Sequence, residues 1–139
     1  MSQFIEINPG ELKINFTQAN AGKISFQELG LKDEDLFLDG GFLRLVFDLE
    51  QIGEHSYYHI PTIEVSYKEN VAATHWQCEF NGTTILDKID HHGNSTVLLL
   101  QRKKIESLEQ HHENKLIIHA EFPQSVHLLA GDSYINLFK

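Results

Sequence analysis

Apolar and polar residues alternate with a period of two along most of this chain. Leu43, Leu45, Phe47 and Leu49 fall on one face of a run whose other face carries Arg44 and Asp48. Ile63, Val65 and Tyr67 alternate in the same way with Thr62, Glu64 and Ser66. So do Leu116, Ile118, Ala120 and Phe122 with Lys115, Ile117, His119 and Glu121. Successive side chains of a strand point to opposite faces, so this pattern predicts half-buried strands. Near the start, Ile5 and Ile7, then Leu12, Ile14 and Phe16 beyond Pro9-Gly10, predict antiparallel strands joined by a turn. Phe42 and Val46 make the second face of residues 42–50 partly apolar, which predicts an interior position in a sheet. Pro61 lacks an N–H, so its strand begins there or lies at an edge.

Residues 74–101 read as three antiparallel strands joined by two turns. Asn81-Gly82 is the signature of a two-residue hairpin, because both positions tolerate positive φ. That turn pairs Phe80 with Thr83, Cys78 with Ile85 and Trp76 with Asp87, which puts Trp76, Cys78 and Phe80 on the core face. Asp90 to Asn94 forms the second turn, and Val97 to Leu100 is apolar on both faces. Residues 27–41 break the alternation and predict a short helical turn or a loop that ends at Gly40-Gly41. The acidic cluster there lacks the regular spacing of a calcium loop. Residues 102–114 are the best helix candidate, with Ile105, Leu108 and His112 at helical spacing. Pro123 predicts a turn, and Gly131-Asp132 another before Tyr134 to Phe138. About nine or ten short strands with at most one or two short helices, and no βαβ crossover, predict an all-β fold. The expected architecture is a two-sheet antiparallel β-sandwich, jelly-roll or immunoglobulin-like, filling residues 1–139 as a single domain.

Charge narrows the function. Eleven Lys and Arg stand against twenty Asp and Glu, a formal net charge of −9 with histidines neutral. That field repels nucleic-acid phosphates and anionic membrane surfaces and favours a basic partner. The start of the chain has neither a basic segment nor an apolar core of a secretory signal, no apolar run approaches a membrane span, and the lone Cys78 has no partner for an internal disulfide. The expectation is therefore a cytoplasmic protein.

Candidate chemistry centres on histidine and tyrosine. His55, His59 and the downstream Glu64 resemble the metal-binding motif of cupin-type jelly rolls, and the resemblance implies a divalent transition metal and a metal-dependent enzyme. The match departs from that motif in spacing: two histidines four positions apart on a strand sit about 13 Å from each other, too far for one ion unless the chain bends. The doublets His91-His92 and His111-His112 read as surface residues in polar turns, and His119 and His127 as residues on outer strand faces. Cys78, flanked by Gln77 and Glu79 on an apolar face, reads as buried and inert. No nucleophile elbow, phosphate-binding glycine loop or paired-cysteine metal motif is present. Tyr57, Tyr58, Tyr67 and Trp76 are the candidates for an aromatic platform. Among them Tyr57 and Tyr58 are favoured, since adjacent strand residues face opposite ways and one must point outward. The closing segment, SVHLLAGDSYINLF, is similar to the last strands of many jelly-roll and carbohydrate-module sandwiches, which implies a carbohydrate-binding alternative. The reading these features favour is a non-enzymatic, cofactor-free binding module, acting on a protein partner through a sheet face or loops.

Overall fold

The computed structural model describes residues 3–7, 13–16, 22–51, 59–102 and 115–138. Its strands are β1 (Gln3–Ile7), β2 (Lys13–Phe16), β3 (Lys23–Ser25), β4 (Phe37–Gln51), β5 (His59–Ser66), β6 (His75–Phe80), β7 (Thr83–Thr84), β8 (Leu86–His92), β9 (Ser95–Leu100), β10 (Lys115–His127) and β11 (Tyr134–Phe138). They form the expected all-β sandwich of two sheets. One has six strands in the order β1-β4-β10-β6-β7, with β2 also on β4, and the other has five in the order β3-β11-β5-β9-β8. The inner faces meet as the alternation requires. Leu43, Leu45, Phe47, Ile118, Phe122, Trp76 and Cys78 of the first sheet pack in one cluster with Ile63, Val65, Leu98, Ile135 and Leu137 of the second. Phe122 lies edge-on to both Tyr67 (5.7 Å between centroids) and Trp76 (5.9 Å), so one ring links the two sheets.

Two departures from the expected topology share a cause, namely partners distant in sequence. The strands β1 and β2 do not form a hairpin with each other. Both run parallel to β4, along Gly41–Leu45 and Asp48–Gln51 in turn. Pro123 is not a turn either: β10 runs straight through it, pairing with β4 on one side and β6 on the other. The ladder to β4 shifts between Phe122 and Ser125, where Gly41 faces Phe122 and Asp39 faces Ser125. One residue of β4 therefore opposes two of β10, a bulge, and a bulge is where a strand tolerates a residue without an N–H. Gly40 and Gly41 (φ 77° and 105°) supply the matching bend on β4, so they lie inside a strand and do not end a loop.

The Asn81-Gly82 turn is as expected, with φ of 49° and 80°, Phe80 opposite Thr83, and the Ile85 N–H donating to the Cys78 carbonyl at 3.0 Å. There the chain leaves the six-stranded sheet. Residues from Leu86 onward join the other sheet through β9, so Trp76 and Asp87 do not pair. The last segment likewise spans both sheets. After β10, a 3-10 turn over Ala130–Asp132 carries the chain across to β11, which pairs with β3 and β5. A second 3-10 turn, Asp33–Leu36, occupies the acidic segment. Asp35 accepts the Lys32 N–H and Asp33 accepts the Ala130 N–H, so these carboxylates brace backbone. The helix expected over residues 102–114 lies outside the described residues except for Arg102.

A Cβ at Gly82 would meet nothing within 4 Å, so any cost of Gly82→Ala is backbone strain alone. Urea denaturation is expected to show a loss of about 1–2 kcal/mol for Gly82→Ala, typical of forcing a side chain into the left-handed region, and a smaller loss for Gly82→Asn.

Candidate functional site

His55, Tyr57 and Tyr58 lie outside the described residues, so the geometry bears on the rest of the expected site. His59 opens β5 opposite Phe138, and a shift in the ladder between Asn136 and Phe138 brings Thr62 opposite Asn136 and Glu64 opposite Tyr134. His59 and Glu64 thus stand five residues apart on β5, about 16 Å along the strand. Glu64 is already engaged: Asn136 Nδ2 donates to it at 3.2 Å, and Lys23 Nζ stands 3.5 Å away while capping the Tyr134 ring at 4.2 Å. Burial and the nearby Arg102 charge push the His59 pKa down, against a hydrogen bond to the Phe138 backbone. Among the described residues no group of three His, Cys, Asp or Glu side chains could hold a metal ion. The aromatic platform also contracts, since Tyr67 and Trp76 are both buried. Cys78 is fully buried as expected, and burial with the neighbouring Glu79 charge pushes its thiol pKa up to about 12.

The outer face of the six-stranded sheet is the surface that stands out. Cross-strand register sets its rows: Phe37 beside His127, Asp39 beside Ser125, then Phe42, Glu121 and His75, then Arg44, His119 and Gln77. Phe37 is 40% and Phe42 42% exposed, two aromatic side chains on one strand, with Glu121 in register opposite Phe42. Phe37 stacks on the His127 ring at 4.4 Å. That imidazole is oriented from behind by Glu69, which accepts from both the His127 backbone N–H (2.9 Å) and Nδ1 (2.8 Å). Partial burial pushes the Glu69 pKa up. The hydrogen bonds and charge of His127 outweigh that and hold it below the usual carboxylate value. In the middle of the face, His119 Nε2 is buried without a hydrogen-bond partner. Glu79 takes an amide hydrogen from Gln77 at 2.9 Å, adding a further carboxylate to the same face. Neither exposed Phe was singled out by the alternation, because Phe42 reads as an apolar residue that a second layer would cover.

A third feature joins surface to core. His91 does not sit in a solvent turn. The turn is Gly93-Asn94, which places His92 opposite Ser95 and His91 opposite Thr96. His92 does face solvent and pairs with Asp90 at 2.9 Å. His91 is half-buried, with Nδ1 2.8 Å from Thr96 Oγ1, and that hydroxyl lies 2.7 Å from the Tyr67 hydroxyl. Thr96 is completely buried and Tyr67 nearly so. Burial also pushes the Tyr67 phenol well above its ordinary pKa, so its proton stays in place.

Among the described residues no helix is long and apolar enough to cross a membrane. No protein-family model, curated protein or solved structure matches this chain.

Two outcomes follow from these contacts. Because folding lowers the His59 pKa below 6.5, the unfolded chain takes up that proton first as pH falls. Stability is therefore expected to decline as pH drops through and below about 6.5, and less steeply in His59→Gln, measured by chemical denaturation from pH 8 to 5. For the buried hydroxyls, Thr96→Val leaves the Tyr67 O–H without an acceptor, a cost of roughly 1–3 kcal/mol. Adding Tyr67→Phe is expected to recover much of it, which a double-mutant cycle measures.

Proposed function

We propose that this protein is a non-enzymatic binding module that engages a basic protein partner through the outer face of its six-stranded sheet. The observation that carries the reading is the exposure of Phe37 and Phe42 on the face that also carries Asp39, Glu79 and Glu121, in a chain of net charge −9. Aromatic faces attract Lys and Arg through the ring quadrupole, and neighbouring carboxylates add charge-assisted hydrogen bonds. A long-range acidic field speeds encounter with such a partner and disfavours nucleic acid. Strands rather than loops carry the contact residues, so little ordering is needed on binding.

An arginine-rich peptide is the probe, with binding followed by ¹H–¹⁵N chemical-shift mapping. Shifts are expected to concentrate on residues 37–44 and 119–127. Phe37→Ala and Phe42→Ala, which leave the charge unchanged, should each weaken binding roughly three- to fivefold. Affinity unchanged in both variants, or shifts spread over the whole acidic surface, would reduce the interaction to bulk charge and overturn the assignment.

A further inference from the structure

Where β6 of one sheet faces β8 of the other, the sandwich is open along its edge. The inward face of β8 shows this directly: Ile89 and His91 stand opposite Leu98 and Thr96, both fully buried, yet Ile89 is 42% exposed. The opening is a cleft of about 90 Å³ bordered by Ala72, Ala73, Thr74, His75, Trp76, Ile89, His91 and Thr96. Its border includes no Asp, Glu, Lys or Arg. The space holds a handful of water-sized groups.

The hydrogen-bond inventory decides what His91 offers to that cleft. Tyr67 has a single O–H and Thr96 a single O–H, and among the described residues their side-chain hydrogen bonds are Tyr67 to Thr96 and Thr96 to His91. Every proton finds an acceptor in one direction alone: Tyr67 donates to Thr96, and Thr96 donates to His91 Nδ1. The imidazole then carries its own proton on Nε2, which makes no bond. The reverse direction strands the Tyr67 proton in the core. Phe and Val would fill positions 67 and 96 without any such requirement, so two buried hydroxyls fix the tautomer and orientation of one ring. What results is one N–H donor of fixed orientation in a cleft otherwise bordered by Ala72, Ala73, Thr74, His75, Trp76 and Ile89.

We propose that this cleft binds a small uncharged molecule with an apolar body and one acceptor oxygen, such as a compact ketone, held by the His91 Nε2–H against Trp76 and Ile89. One neutral donor suffices for a carbonyl oxygen, whereas a carboxylate finds no Lys or Arg on this border to offset its desolvation. A metal ion on Nε2 would force the proton onto Nδ1 and reverse the relay, so the arrangement disfavours a metal here.

Trp76 is the only tryptophan, and its indole N–H gives a single reporter signal in the cleft. Cyclopentanone and butyrate are titrated in turn, with the Trp76 indole and His91 ring signals followed by NMR. The expected result is a saturable shift of both with cyclopentanone, at least tenfold weaker binding of butyrate, and ¹⁵N shifts of the His91 ring reporting the Nε2–H tautomer. His91→Phe should lose the ketone. Thr96→Val combined with Tyr67→Phe keeps His91 in place but frees its orientation, and should weaken binding roughly two- to tenfold. No saturable shift, an equal or stronger butyrate response, or an Nδ1–H tautomer would overturn the proposal.

Discussion

The ladder that Lys115–His127 makes on both its sides is the constraint from which the rest of the sandwich follows. It holds β4 on one flank and β6 on the other, so the six-stranded sheet has no continuous interior without it. A strand of that length would twist away from its neighbours if it stayed regular. The bulge between Phe122 and Ser125, met by Gly40 and Gly41, absorbs the change of direction. Phe122, at the end of the regular ladder, is then aimed inward between Tyr67 and Trp76. Tyr67 in turn anchors Thr96 and His91. A backbone irregularity thus sets the position of the aromatic contact that joins the sheets, and that contact leads to the hydroxyl relay.

How far the sequence revealed this depends on the range of each cause. Asn81-Gly82 was legible because positive φ is a local property, and Trp76, Cys78 and Phe80 are buried on the face that register predicted. Leu43, Leu45 and Phe47 were legible for the same reason. Pro123 was not, since a proline inside a strand makes sense only beside its distant partners Gly40 and Gly41. The change of sheet at Ile85 was hidden too, because the strand that receives Leu86 to His92 is fixed by pairing with β9 and not by any local turn signal. For His91 the signal was present and misapplied. Placing the turn at Gly93-Asn94 rather than across residues 90–94 pairs His91 with Thr96 by counting alone. The loss of Tyr67 from the aromatic platform follows from the same alternation that put it on a face with Ile63 and Val65.

The two surfaces differ in physical kind. The outer face of the six-stranded sheet is wide, charged and studded with Phe37 and Phe42, which suits contact over an area. The edge cleft is narrow, lacks charged side chains along its border and presents one oriented donor, which suits a single small group. They adjoin at His75, which stands in register with Glu121 on the first surface and also borders the cleft. The acidic segment at Asp33–Asp35 belongs to neither. Asp33 and Asp35 accept backbone N–H groups and hold the crossing between the sheets.

Cys78 lies completely enclosed between the two sheets, on the strand beside β10, and it is the only thiol in the chain. A reagent that modifies sulfur can reach it only when the structure around β6 opens, because the side chain has no exposure in the folded state. The rate of its modification under native conditions is therefore a clock for that opening. The buried thiol thus records, one irreversible event at a time, how often the structure around it opens.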